Sequence, residues 1–179
     1  MPVDADIWSA LRHTDLDLID QLLRDRIPPG SRILDAGAGE GRNLLYFLHC
    51  GYPIWAIDQD EMAVRYMKYL FRSRHADFDT ERIIQEKIES MLFPANFFDV
   101  VFCINVLHSA DSSQHLQKKI KALQRVVRPS GLIMVKVRSS FLKMLSTSTY
   151  FHIEEPIRHS QVDNMEPYSF VVLKKQEDG

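Results

Sequence analysis

The sequence predicts an α/β protein built on a doubly wound, mostly parallel sheet, and three stretches carry that prediction. In the first, apolar Ile33 and Leu34 lead to Asp35 and a glycine-rich run from Gly37 to Gly41. A helical face of Leu44, Leu45, Phe47 and Leu48 follows, and after Gly51 a second apolar strand ends at Ile57. Strand, helix, strand in that order is the βαβ unit of a parallel sheet. The second stretch, Phe97 to Ile104, is a near-continuous apolar run, the pattern of a strand buried on both faces. The third sets Leu116, Ile120, Leu123 and Val127 on one helical face, ended by Arg128 to Gly131, with Leu132 to Val137 as the next strand.

Composition bounds the reading. A chain of 179 residues that is 45% hydrophobic with net charge −2 is expected to form one domain, 1–179, with enough apolar material for a two-faced core. Cys50 and Cys103 are the only cysteines, which supports neither a disulfide framework nor a metal site and points to a reducing, cytoplasmic setting. No apolar run approaches the ~20 residues of a membrane span. The acidic start, Met1 to Asp6, does not have the pattern of a signal peptide.

The remaining elements follow in order. Asp4 is placed to cap a short helix bearing Ile7, Trp8 and Leu11, with Trp8 expected in the core. Thr14 and Asp17 suggest the start of a second helix whose buried face is Leu16, Ile19, Leu22 and Leu23, ended by Pro28 to Gly30. Asp60 reads as the N-cap of a helix packing through Ala63, Met67 and Leu70. Glu81 to Ile88 is read as a strand, followed by a connection with Pro94 too short for a full crossover helix. Lys118, Lys119, Lys121 and Arg125 on the later helix read as a solvated face, without the interleaved aromatics that single-strand binding favours. Tyr168 to Leu173 is expected to close the sheet as an edge strand before a charged tail, Lys174 to Gly179.

The glycine turn suits a ligand held against bare backbone, with helix-start N–H groups available to electron-rich atoms. A dinucleotide fingerprint fails there: from Gly37 and Gly39 the last glycine position holds Arg42. Asp35 beside the turn would repel a pyrophosphate and welcome a cation. Asp58, 23 residues beyond Asp35, stands near the spacing at which an acid meets an adenosine ribose.

Asp35-Ala36-Gly37-Ala38-Gly39-Glu40-Gly41-Arg42-Asn43 resembles motif I of the class I S-adenosylmethionine-dependent methyltransferases. Phe98 to Val101 and Arg125 to Gly131 add to the likeness, which runs from about Ser31 to Leu173. The resemblance implies a Rossmann-like seven-stranded sheet with an antiparallel last strand and S-adenosylmethionine as cofactor. It divides the chain into an N-terminal helical cap at 1–30, a cofactor-binding core at 31–138, and a substrate-side segment with the closing strand at 139–179. Carried over residue by residue, the cofactor positions are Asp35, Gly37, Ala38, Gly39, Arg42, Asn43, Asp58, Gln59, Lys87, Ile88, Ile104 and Asn105. Lys87 departs from the pattern, since many members have an acid there for the adenine amino group. Ser130 stands where a glycine is common. Gly39 to Asn43, with the helix that ends at Gly51 and Tyr52, looks most like the compact bacterial tellurite-resistance and thiol-type enzymes.

The acceptor is expected to be a small molecule, with nucleic acid and membrane disfavoured. No Asn/Asp-Pro-Pro-Tyr/Phe motif follows Ile104, and the stretch 138–167 supplies Phe141, Tyr150, Phe151, His152 and His159 without a large insertion. His108 is the candidate catalytic residue, orienting the acceptor or taking its proton. The alternatives are a non-catalytic S-adenosylmethionine-binding module and a dehydrogenase-like dinucleotide binder.

Overall fold

The computed structural model describes residues 5–142, 151–154, 158–160 and 167–176. Asp4 and Tyr150, singled out above, lie outside them. The chain forms two compact units, Met1–Lys87 and Ile88–Gly179, and each is taken by itself.

In the first unit, strands β1 (Ile33–Ala36), β2 (Ile54–Asp58) and β3 (Ile83–Gln85) run parallel. Ile33 lies opposite Ile54, and Ala56 opposite Ile83. Between β1 and β2, a 3₁₀ turn at Arg42–Leu44 runs into the short helix α3 (Leu45–His49). Its face of Leu44, Leu45, Phe47 and Leu48 is buried as the sequence predicts. Helix α4 (Glu61–Arg74) connects β2 to β3, and Asp60 caps it through Met62 N at 2.8 Å. Its buried stripe is Val64, Met67 and Phe71 rather than Ala63, Met67 and Leu70, because the larger side chains win the contact with the sheet. The strand expected over Glu81 to Ile88 shrinks to three residues. Asp79 caps a 3₁₀ turn at Thr80–Arg82 just before it, and a further 3₁₀ turn begins at Ile88.

The N-terminal helices differ most from expectation. Helix α1 (Ala5–Leu11) leaves Trp8 61% exposed, not in the core. Helix α2 (Leu16–Leu23) is capped by Asp15, whose carboxylate accepts from Asp17 N, while Thr14 Oγ1 turns back and donates to Ala10 O at 3.1 Å. The buried face is Leu18 and Gln21, and Leu16 and Leu23 are each 79% exposed.

In the second unit, β4 (Phe98–Ile104) pairs parallel with β5 (Val127–Arg138), and β8 (Tyr168–Lys175) pairs antiparallel with β5. Helix α5 (Ser113–Val126) joins β4 to β5 with Leu116, Ile120 and Leu123 buried. Register shifts between Phe98 and Val100, so that Arg128 to Gly131 bulge from β5. Ser130 takes φ +60° there, and a Cβ on Gly131 would lie 2.9 Å from the Asp99 carbonyl oxygen. That explains why glycine is common at the first position and required at the second. β8 is not an edge strand: β6 (Phe151–Ile153) and β7 (Arg158–Ser160) both pair with it, and Lys174 and Lys175 belong to it rather than to a tail. Parallel β1–β3 and β4–β5, with connecting helices and an antiparallel β8, make the α/β, Rossmann-like arrangement predicted.

Candidate functional site

Two sets of residues follow the carboxyl ends of strands, one in each unit. In the first unit they gather at the ends of β1 and β2. Asp35 is 1% exposed, and its Oδ2 has no hydrogen-bond partner. Burial pushes its carboxyl up from 3.8 to about 7, against the pull of Arg42 and with a smaller push from Asp58. A sealed, unpaired carboxylate oxygen costs stability in the empty protein. It is the kind of group that a bound cation satisfies.

The glycine turn corrects the expectation of bare N–H groups. Gly37 N and Ala38 N both donate to the Ile57 carbonyl, at 2.8 and 3.0 Å, and Gly41 N donates to the Ala38 carbonyl at 3.0 Å. Gly39 N donates to Asp58 Oδ2 at 2.8 Å. With these four donors spent inside the fold, the turn offers a pyrophosphate little, which is a physical argument against the dinucleotide reading. What the turn does offer is room. A Cβ on Gly39, at φ +56°, would meet nothing within 4 Å, whereas one on Gly41 would lie 2.7 Å from Met67 Cγ. Gly39 keeps an open face, and Gly41 lets the turn close on α4.

Asp58 is held on both sides: Oδ1 accepts from Asp60 N at 2.9 Å and Oδ2 from Gly39 N. A carboxylate has about four acceptor positions, so two remain for a diol while the group stays rigid. Asn43 is buried and its Oδ1 accepts from Asp15 N at 3.1 Å. Arg42 donates to the His13 carbonyl at 3.3 Å. Both therefore tie the turn to the start of α2. The Gln59 carbonyl accepts from Gln85 Nε2 at 3.4 Å, and Lys87 is exposed at the end of the unit.

In the second unit, Ile88 and Ile104 are buried, and Asn105 is exposed at φ +61° with its N–H on the Lys136 carbonyl at 2.9 Å. The left-handed residue turns the chain off β4 into a 3₁₀ turn, Leu107–Ser109, anchored by fully buried Leu107. His108 projects from that turn. Its ring lies edge-on to Tyr168, 6.2 Å between centroids, and its Nδ1 is buried without a partner. Burial, then the charges of Arg138 and Lys119, hold it below the ordinary histidine value, so the ring is neutral near pH 7. An N–H at the sealed Nδ1 would be unsatisfied, which puts the proton on Nε2 and makes Nε2 the nitrogen a ligand can reach.

Two features here escaped sequence reasoning. Lys119, expected on a solvated face, is 6% exposed and donates to Ser109 Oγ at 3.0 Å. Arg125 is likewise engaged, donating to the Met91 and Phe93 carbonyls. Conversely, α4 carries the pattern that α5 lacks: Tyr66 and Tyr69 are 47% and 73% exposed beside Arg65, Lys68 and Arg72. Among the described residues no cluster suits a metal ion and no helix is long and apolar enough to cross a membrane.

The chain can now be set beside known proteins. The family described as Methyltransferase domain matches residues 34–135. An uncharacterized methyltransferase, YodH, of Bacillus subtilis (strain 168) is 28% identical over 106 residues, 59% of this chain and 42% of that one. Among solved structures, magnesium protoporphyrin IX methyltransferase (ChlM) from Synechocystis PCC 6803, with bound SAM, superposes with TM-score 0.74 at 15% identity. That likeness covers 98% of this chain and 86% of the other. A TehB-like SAM-dependent methyltransferase from Corynebacterium glutamicum gives 0.66 at 16% identity, covering 87% and 86%. The chain spans about half the length of the curated relatives it matches, from 25% to 60%.

Proposed function

Because the chain belongs to the Methyltransferase domain family, whose members take S-adenosylmethionine, we propose that it transfers the methyl group to a small-molecule acceptor that His108 orients. When bound, S-adenosylmethionine supplies an activated methyl on a sulfonium. What remains for the protein is alignment, since little covalent help is needed. The orphaned, buried Asp35 Oδ2 and the open face of Gly39 fit such a cofactor. In this reading Asp35 balances its positive charge, Asp58 holds the ribose diol with its two remaining acceptor positions, and Gly37, Ala38 and Gly39 give it a flat backbone wall. Arg42 and Asn43 act mainly by fixing that wall to α2. Gln59 flanks the ribose and Lys87 the adenine, while for Ile88, Ile104 and Asn105 the family pattern alone proposes a cofactor contact. Membership in the tellurite-resistance and thiol-type group belongs to the same reading, supported by Gly39 to Asn43 and the helix that follows.

The observation that carries the small acceptor is His108, a neutral ring with one reachable nitrogen, half-buried against Tyr168. With its proton on Nε2 it donates a hydrogen bond, which suits holding an acceptor better than removing its proton. A panel of thiols and oxygen-bearing metabolites, assayed by S-adenosylhomocysteine release, should give turnover. His108→Ala should reduce it about 10-fold or more while S-adenosylmethionine affinity is kept, as for loss of an oriented hydrogen bond. A polynucleotide acceptor is the second reading, favoured by the exposed tyrosines among basic residues on α4. Turnover with RNA that Tyr69→Ala abolishes, and none with the panel, would establish it in place of the first.

A further inference from the structure

A buried lysine beside the reading's key histidine calls for an explanation, since lysine is almost never sealed from water without a task or a partner. Lys119 lies on the second turn of α5, and its ammonium donates to Ser109 Oγ, which in turn donates to the Val106 carbonyl at 2.8 Å. Val106 and Ser109 bracket the 3₁₀ turn that presents His108. The chain of two hydrogen bonds therefore runs from α5 to both ends of that turn. An apolar side chain in place of Lys119 would remove this hydrogen-bonded link between the turn and α5.

We propose that Lys119 is a positioning residue for His108, clamping the turn that carries the ring and bringing an ammonium to it. This rests on the reading of His108 as the acceptor's orienting residue. The charge has the right company. From β5 comes Arg138, also acting on His108, and from β8 the ring of Tyr168. The Lys119 charge also acts on Glu89, whose Oε1 lies 3.2 Å from His115 Nε2, with Asp111 Oδ1 3.0 Å from His115 Nδ1. Burial pushes the Glu89 carboxyl up, but its backbone hydrogen bond, His115 and the Lys119 charge together bring it below the usual range. Glu89 thus stays ionised, and the Lys119 charge favours that state. Were His108 protonated, its Nδ1–H would be buried without an acceptor, with the charges of Arg138 and Lys119 acting against it.

The test reads His108 directly, by NMR titration of the full-length protein, and then reads turnover. Lys119→Met keeps length and apolar packing but removes the charge. It should raise the His108 titration midpoint, as loss of a nearby like charge does. The acid limb of the turnover profile should rise by the same amount, and Lys119→Arg should restore both. Ser109→Ala, which keeps the charge and cuts the clamp, should lower kcat with a smaller change in midpoint. A midpoint unmoved by Lys119→Met, or moved equally by Lys119→Arg, overturns the inference. A midpoint that rises while the acid limb stays put overturns the role of His108 itself, so the two failures are distinct.

Discussion

Asp35 shows how a single buried group links stability to ligand binding. Its carboxyl, raised from 3.8 to about 7 chiefly by burial, holds a proton more tightly in the folded chain than in the unfolded one. The stability it contributes is therefore fully present below about pH 4 and is lost as pH rises through about 7. A cation brought against Oδ2 reverses the shift and expels the proton. Binding of S-adenosylmethionine at pH 6.5 should release a proton from Asp35, seen by calorimetry in buffers of different ionisation enthalpy, and Asp35→Asn should abolish that release. Comparison with S-adenosylhomocysteine, which keeps the ammonium but lacks the sulfonium, identifies which cation Asp35 meets. Proton exchange unaltered by Asp35→Asn would remove this residue from the cofactor's charge balance.

At the scale of elements, the two glycines of one turn separate function from packing. Gly41 stands at φ +79° with Met67 and Phe71 closer than a Cβ allows, whereas Gly39 faces open space. Gly41→Ala combines left-handed strain with overpacking and should cost about 2–4 kcal/mol of folding stability. Gly39→Ala should cost about 1–2 kcal/mol from the strain alone, yet weaken S-adenosylmethionine far more than Gly41→Ala does. Thermal melts and cofactor titrations of both variants decide it, and equal loss of affinity would refute the division.

The same contrast explains what the sequence disclosed. Asp60, the apolar run of β4 and the face of α3 depend on neighbours within a few residues, and all three stand where periodicity and capping put them. The contact of Asp58 with the glycine turn was legible because a strand-turn-helix motif is local too. Lys119 was not, since the Ser109 hydroxyl that receives its ammonium comes from another element. Nor was α2, where Asp15 rather than Thr14 caps the helix while Thr14 Oγ1 donates to the Ala10 carbonyl and the Asp15 N–H goes to Asn43, 28 residues away.

For the whole molecule the open question is cooperativity. The chain forms two compact units that divide after Lys87, yet the family match begins in β1 and ends in β5, on either side of that division. If the units fold as the single domain expected from sequence, heat should unfold them together. At roughly 0.7 kcal/mol per residue, a chain of this length should absorb about 125 kcal/mol near 60 °C. The enthalpy derived from the sharpness of the transition should equal that calorimetric heat. S-adenosylhomocysteine at about 100 times its dissociation constant adds roughly 2.7 kcal/mol to the folded state, and it should move the entire transition upward. Independent units would instead give a sharpness-derived enthalpy near half the total heat, with the ligand raising only the part that contains Asp35 and Asp58. That outcome would make the glycine-turn unit a folding module in its own right and end the single-domain reading.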